Sequence, residues 1–200
     1  MSSKKYWWVF SLIFVVGIVA DQLLKFYVKL HFTLGEDHEI FSWFHLVFVE
    51  NPGMAFGVTL GSKLILTIFR VLVSGVLVWW MVRLVRRNFD FGFLVVLSLV
   101  LTGAVGNIID CLFYGMVFTE SSFGEVARMV CDGGVGYASF GVGKVVDMFY
   151  FPLFEFPRWV PFLGGEIFFS PVFNLADSLI TVSIFLIILF YRQSFGKALE

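Results

Sequence analysis

The stretch Phe91-Gly-Phe-Leu-Val-Val-Leu-Ser-Leu-Val-Leu-Thr-Gly-Ala-Val-Gly-Asn-Ile-Ile-Asp-Cys-Leu112 carries no charge until Asp110. A hydrocarbon core of about 30 Å is crossed by roughly 20 apolar residues in helical form, so this run reads as a membrane span. Three further segments meet the same test: about Tyr6 to Val28, about Leu64 to Val82 and about Pro171 to Tyr191. The composition agrees. Of 200 residues 59% are hydrophobic and only 14% charged, whereas water-soluble domains carry about a quarter charged residues. The 27 Phe and 6 Trp suit a protein that meets both lipid tails and headgroups. The expected fold is a mainly α membrane protein with four transmembrane helices, forming a single integral membrane domain over residues 1–200.

Four spans put both termini on one side. Lys4, Lys5, Arg83, Arg86, Arg87, Arg192 and Lys197 crowd the tails and the turn between the second and third spans, which makes that side cytoplasmic. The acids Glu36, Asp37, Glu39, Glu50, Glu120, Glu125, Asp132, Glu155 and Glu166 fall in the two outer connections, about residues 30–63 and 113–170. Lys4 and Lys5 ahead of the first run imitate a secretory signal. That run exceeds a signal's apolar core and no small-x-small site ends it, so it is expected to stay as a helix. A formal net charge of −1 leaves no dense basic face for nucleic acid. Two cysteines, Cys111 and Cys131, cannot build a disulfide framework or a four-ligand zinc site. They read as unpaired thiols, with a bond between them the alternative.

In the first outer connection, Glu39-Ile-Phe-Ser-Trp-Phe-His-Leu-Val-Phe-Val-Glu50 favours strand and breaks at the turn Asn51-Pro-Gly53. A small extracytoplasmic β-sheet is expected there. The second connection is long, rich in Gly and Pro, and holds only short apolar runs such as Val145 to Phe151, none able to span.

Ionisable groups inside a bilayer are expensive and call for a reason. At about 1.5 Å rise per residue, Asp21 lies in the outer third of the first span. By the same count Asn107 and Asp110 lie late in the third, which runs outward, and Asn174 and Asp177 early in the fourth, which runs inward. Three helices counted independently converge on one depth. Asp21 has a structural reading in a helical ion pair with Lys25. Asp110 with Asn107 reads as glue between helices, and Arg70 as a snorkelling residue or a counter-ion to a buried acid. Asp177 has no basic neighbour within a turn. Asp147, in Lys144-Val-Val-Asp-Met-Phe-Tyr-Phe151, is an acid among apolar residues at the interface, with Lys144 as its nearest cation. Should Asp147 meet Asp177, two close carboxylates cannot both ionise. One keeps a proton, and the pair can activate water and protonate a leaving amine. His31, His38 and His45, spaced by seven in a mostly strand-like segment, do not make a metal cluster.

Asp21-Gln-Leu-Leu-Lys25, Asn51-Pro-Gly-Met-Ala-Phe-Gly57, Gly106-Asn-Ile-Ile-Asp110, Gly143-Lys-Val-Val-Asp147 and Phe173-Asn-Leu-Ala-Asp177 resemble, in order, the motif blocks of bacterial lipoprotein signal peptidase, also called signal peptidase II. The resemblance implies an inner-membrane aspartic endopeptidase that cleaves diacylglyceryl-modified prolipoproteins just before the lipidated cysteine. Asp147 and Asp177 would be its catalytic residues, and Asp21, Lys25, Asn51, Gly57, Asn107, Asp110, Asn174 and Ala176 would bind substrate or support the site. It further implies no metal or organic cofactor, the cyclic peptide globomycin as inhibitor, membrane lipids as partners and a monomer with its site at the outer leaflet. In two places the chain departs from the family. Cys111 stands where arginine usually follows the third-span aspartate, leaving Arg70 or Arg128 to supply a basic contact, and Met148 replaces a phenylalanine. The stretches between Asp110 and Asp147 and between Asp147 and Asp177 are longer than usual, an elaborated second outer loop. A proton-coupled transporter using intramembrane acids is the alternative, and it would place polar residues in the inner halves of the spans as well.

Overall fold

The computed structural model describes residues 3–53, 62–130 and 134–200. Helix α1 (Ser3–His31) is followed by the strands β1 (Asp37–Phe41) and β2 (Phe44–Asn51), then by helices α2 (Lys63–Arg86) and α3 (Phe91–Ile109). A π-helical turn (Asp110–Tyr114) and a last short turn α4 (Gly115–Val117) continue α3. Strands β3 (Val145–Tyr150), β4 (Phe154–Glu155) and β5 (Ile167–Phe168) precede α5 (Leu175–Phe190) and α6 (Arg192–Ala198). Among the described residues three helices are long and apolar enough to cross a membrane: Tyr6–His31, Lys63–Arg86 and Phe91–Val117. The fourth, α5, covers about 24 Å at the α-helical rise and meets the criterion only when joined to α6 across a 93° bend.

Local chemistry sets the ends. Asp90 caps α3, its side chain accepting the N–H groups of Gly92 at 2.9 Å and Phe93 at 3.3 Å, which satisfies two otherwise orphaned donors. Asn174 caps α5 in a reciprocal box with Asp177, so the helix begins at Leu175 although the apolar run starts upstream at Pro171.

The segment expected to be strand forms a hairpin, β1 against β2, with Phe41 opposite Phe44 across Ser42-Trp43. Strand β3 joins β2 antiparallel, giving the order β1-β2-β3 and placing Asp147 opposite Val49. Separately, β4 and β5 form a two-stranded hairpin within the second outer connection.

Two apolar clusters leave a polar layer between them. One joins Tyr6 and Phe10 of α1 to Met81 and Leu84 of α2, Phe93 and Leu97 of α3, and Ala198. The other gathers Val28, Phe32, Phe48, Tyr114, Phe118, Val146 and Met148 around the sheet. Helices α3 and α5 touch closely at Gly103, where a Cβ would lie 2.3 Å from the Ala176 carbonyl oxygen and 2.8 Å from Ile180 Cγ1. Such small-residue contacts let membrane helices approach at backbone distance. Gly103→Ala is expected to push the helices apart, lower stability by about 1–3 kcal/mol and reduce activity. Thermal unfolding in detergent micelles measures the first effect.

Candidate active site

Asp21 on α1 is buried and faces α5: its Oδ1 accepts the Ala176 N–H at 2.9 Å, one of the free donors of that helix's first turn. Its Oδ2 pairs with Lys25 Nζ at 2.9 Å, one turn on. Lys25 is fully buried and also meets Asp110 Oδ2 at 2.8 Å. The structural readings of Asp21 and Asp110 thus merge into one triad, a lysine between two carboxylates. Lys25 donates as well to Asn107 Oδ1 at 2.9 Å.

The sequence reading passed over Gln22. Its Nε2 donates to Asp110 Oδ1 at 3.0 Å and to the Gly106 carbonyl at 3.2 Å, and its Oε1 accepts the Tyr114 hydroxyl at 3.0 Å. An amide beside Asp21 in an apolar run was the available signal. The π-helical turn that starts at Asp110 buries Asp110, Cys111 and Tyr114 together, an extra-residue bulge of the kind common at functional positions.

Asp110 also draws in the sheet, accepting the Val146 N–H at 3.3 Å. Gly143 makes the approach possible. A Cβ there would meet the Asp110 carbonyl oxygen at 2.2 Å, and its N–H donates to Cys111 O at 2.8 Å. Four residues later Asp147 is buried at the bundle. Lys144 is not its partner. Residues three apart on an extended chain face opposite ways, and Lys144 pairs instead with Glu50, at 2.9 Å, and Glu120. Glu50 is shared with Lys29 of α1. Burial pushes the Glu50 carboxyl up, but Lys29 and Lys144 outweigh it and hold the group below its ordinary range.

Two asparagines link the remaining acids. Asn174 Nδ2 donates to Asp147 Oδ1 at 2.7 Å, and Asn107 Nδ2 to Asp177 Oδ1 at 2.7 Å. The amide oxygens are pinned in turn. Asn174 Oδ1 accepts the Asp177 N–H at 2.9 Å, and Asn107 Oδ1 accepts Lys25 and, at 3.1 Å, Asn174 Nδ2. These contacts settle which end of each amide faces a carboxylate. Burial, and then the neighbouring charge of Asp177, raise the Asp147 carboxyl to about 7. Asp177 is half-buried and reaches the wall of a groove.

Asn51 closes β2, its Oδ1 accepting the Gly53 N–H at 2.8 Å; Gly57 and Cys131 lie outside the described residues. Arg70 is partly exposed, pairs with no acid among the described residues and donates from Nη1 to Cys111 Sγ at 3.1 Å. It therefore brings a cation from α2 to the position after Asp110, while Arg128 is exposed elsewhere. His38 and His45 pair with Glu36 and Asp37 on the hairpin.

The family model for signal peptidase (SPase) II matches residues 13–192. The chain belongs to the signal peptidase II family. A lipoprotein signal peptidase of Porphyromonas gingivalis (strain ATCC 33277) is 46% identical over 96% of this chain and 86% of its own length. One from Amoebophilus asiaticus (strain 5a2) is 35% identical over 99% and 83%. A solved bacterial membrane enzyme superposes with a TM-score of 0.63 at 21% identity, covering 94% of this chain and 90% of its own; at that identity the likeness speaks for the fold. As a member of the signal peptidase II family the chain is a membrane protease, and each block quoted from its sequence contributes at least one side chain or backbone group to the geometry above, within the described residues.

Proposed function

We propose that this protein removes the signal peptide of diacylglyceryl-modified prolipoproteins, cutting just before the lipidated cysteine, and that Asp147 and Asp177 form its catalytic dyad. The observation that carries the reading is the matched pair of amides. Each carboxylate receives one side-chain N–H from an asparagine whose own oxygen is fixed, and Asp177 Oδ2 also takes the Asn174 backbone N–H at 3.4 Å, so both acids are held in place for the chemistry.

With its carboxyl raised to about 7, Asp147 starts protonated and Asp177 starts as the base. Asp177 takes a proton from water as the water oxygen attacks the scissile carbonyl carbon, and Asp147 gives its proton to the carbonyl oxygen. The tetrahedral intermediate then collapses. Its C–N bond breaks, the cysteine nitrogen leaves with the proton held by Asp177, and a hydroxyl proton returns to Asp147. Asp21, Lys25, Asn107, Asp110, Asn174 and Ala176 hold this frame, Asn51 belongs to the sheet side of the substrate path, and Gly57 has a role in binding substrate. Basic residues at the opposite end of the spans support a topology with both termini in the cytoplasm and the dyad at the outer leaflet. There a lipid-anchored cysteine meets it without leaving the membrane. Globomycin is the expected inhibitor, and the working unit is a monomer among membrane lipids.

The test is cleavage of a diacylglyceryl-modified precursor by the purified protein, with the cut located by the mass of the released peptide. Cleavage of the unmodified precursor at equal rate contradicts the substrate assignment. Because Asp147 must carry a proton at the start, the rate is expected to fall as the pH rises through about 7. The apparent value belongs to the coupled pair. A rate that still climbs up to pH 9 contradicts the assignment of acid and base.

A further inference from the structure

The chain between Asp147 and Asp177 carries a hairpin that the proposed chemistry does not use. Phe154 and Phe168 stack at 4.8 Å across β4 and β5, and Phe156 closes on both. Trp159 and Phe162 are left exposed at its end. An exposed apolar face of this kind marks an interaction surface. At its root the hairpin is fixed: Phe149 and Phe173 exchange backbone hydrogen bonds of 2.7 and 3.0 Å, and Phe169 packs edge-on against Phe173 at 5.8 Å. Phe169 has a φ of 65°, a left-handed conformation that costs a bulky residue free energy and persists only where the surroundings impose it.

Phe169 leads from the end of the hairpin to the start of α5. Between them lies a groove of about 420 Å³, lined by Phe169, Pro171, Phe173, Asp177, Thr181 and Val182, with Ser178 on its floor. It falls in the range of ligand pockets, and Asp177 is the titratable group in its wall. Its other end opens on the outward face of α5, where Val182 and Phe185 are exposed, so the groove is continuous with the side of the helix that faces the bilayer. Two other apolar grooves, about 230 Å³ among Phe10, Phe14, Val78, Met81 and Leu101 and about 440 Å³ among Ile184, Ile187, Ile188 and Phe195, do not include the carboxylates.

The occupant follows from the walls. A peptide laid along Phe169, Pro171, Phe173 and Val182 would bury N–H and C=O groups against rings and methyls that cannot pair with them, at a cost of about 1–3 kcal/mol each, and Asp177 and Thr181 could meet only a few of them. The Ser178 hydroxyl is already committed to the Asn174 carbonyl at 2.9 Å. A hydrocarbon chain needs no partners and enters sideways from the bilayer. We propose that the groove between Phe169, Phe173 and the first turns of α5 takes an acyl chain of the lipidated cysteine and thereby sets the scissile bond beside Asp177. This rests on the substrate proposed above.

Two measurements test it. In the Asp147→Asn variant, which retains bound precursor, a diazirine placed midway along an acyl chain is expected to label residues 169–182. In the otherwise unaltered enzyme, Val182→Trp fills the groove from its exposed side without touching the core. It is expected to raise KM for a long-chain precursor about tenfold with kcat little changed, and to leave a short-chain precursor unaffected. The inference is overturned if Val182→Trp leaves the long-chain KM unchanged. It is overturned equally if the acyl probe labels the α1–α2 groove, or if a probe in the apolar segment of the signal peptide labels 169–182 while the acyl probe does not. Cleavage by Asp147→Asn itself would refute the dyad instead and leave the labelling result to be read separately.

Discussion

Asp147→Asn and Asp177→Asn are each expected to lower cleavage of a diacylglyceryl-modified precursor by about a hundred- to ten-thousand-fold, the range for loss of a positioned acid or base. The exchange is nearly isosteric, and the amide oxygen can still accept the N–H that Asn174 gives to Asp147, or that Asn107 gives to Asp177. What disappears is the ability to take and return a proton. A collapse of the fold would imitate the result, so the control is the sign of the stability change. The Asp147 carboxyl is raised from its ordinary value near 4 to about 7, so the folded protein favours the protonated form. Its ionisation works against folding as the pH climbs through that window. Asp147→Asn removes the cost, and its unfolding temperature at pH 8 is expected to equal or exceed that of the parent. Efficient processing by either variant excludes the dyad; lost activity with a sharply lowered unfolding temperature assigns the acid a structural role.

The second large effect concerns Lys25→Met. The lysine is fully buried between Asp21 and Asp110, at 2.9 and 2.8 Å. Removing the cation leaves two buried carboxylates facing each other, and breaking such a pair costs about 3–5 kcal/mol. Lys25 also orients Asn107, whose Nδ2 serves Asp177, so activity is expected to fall beyond what the loss of folded protein explains. Denaturation in detergent and the specific activity of the folded fraction separate the two. A variant as stable and active as the parent contradicts the triad. The triple change Asp21→Asn, Lys25→Met, Asp110→Asn, which removes all three charges, should recover much of the stability and little of the activity.

Much of this was legible because helical rise is fixed. Counting residues along three apolar runs put Asp21, Asn107, Asp110, Asn174 and Asp177 at one level, and the contacts among them lie there. Partners were less legible wherever geometry other than an α-helix decides them. Lys144 is near Asp147 in sequence but faces Glu50 and Glu120, since an extended chain alternates its sides. The run Glu39 to Glu50 read as strand, yet its reversal at Ser42-Trp43 carries neither Gly nor Asn and gave no turn signal. Arg70 and Cys111 lie on different helices, and nothing local foretells the 3.1 Å contact between them. Nor does composition tell that Phe154 and Phe168 stack in a hairpin or that Phe169 and Phe173 line a groove against α5.

The side chains that hold Asp147 and Asp177 are carboxamides, Asn174 and Asn107, and a carboxamide neither gains nor loses charge in the range of pH where enzymes work. No side-chain wire therefore leads from the proposed dyad through its holders to Lys25 and the other aspartates. Hydrogen ions that the reaction draws on must come from solvent or depart with product, and the framework keeps one shape while the two acids trade roles.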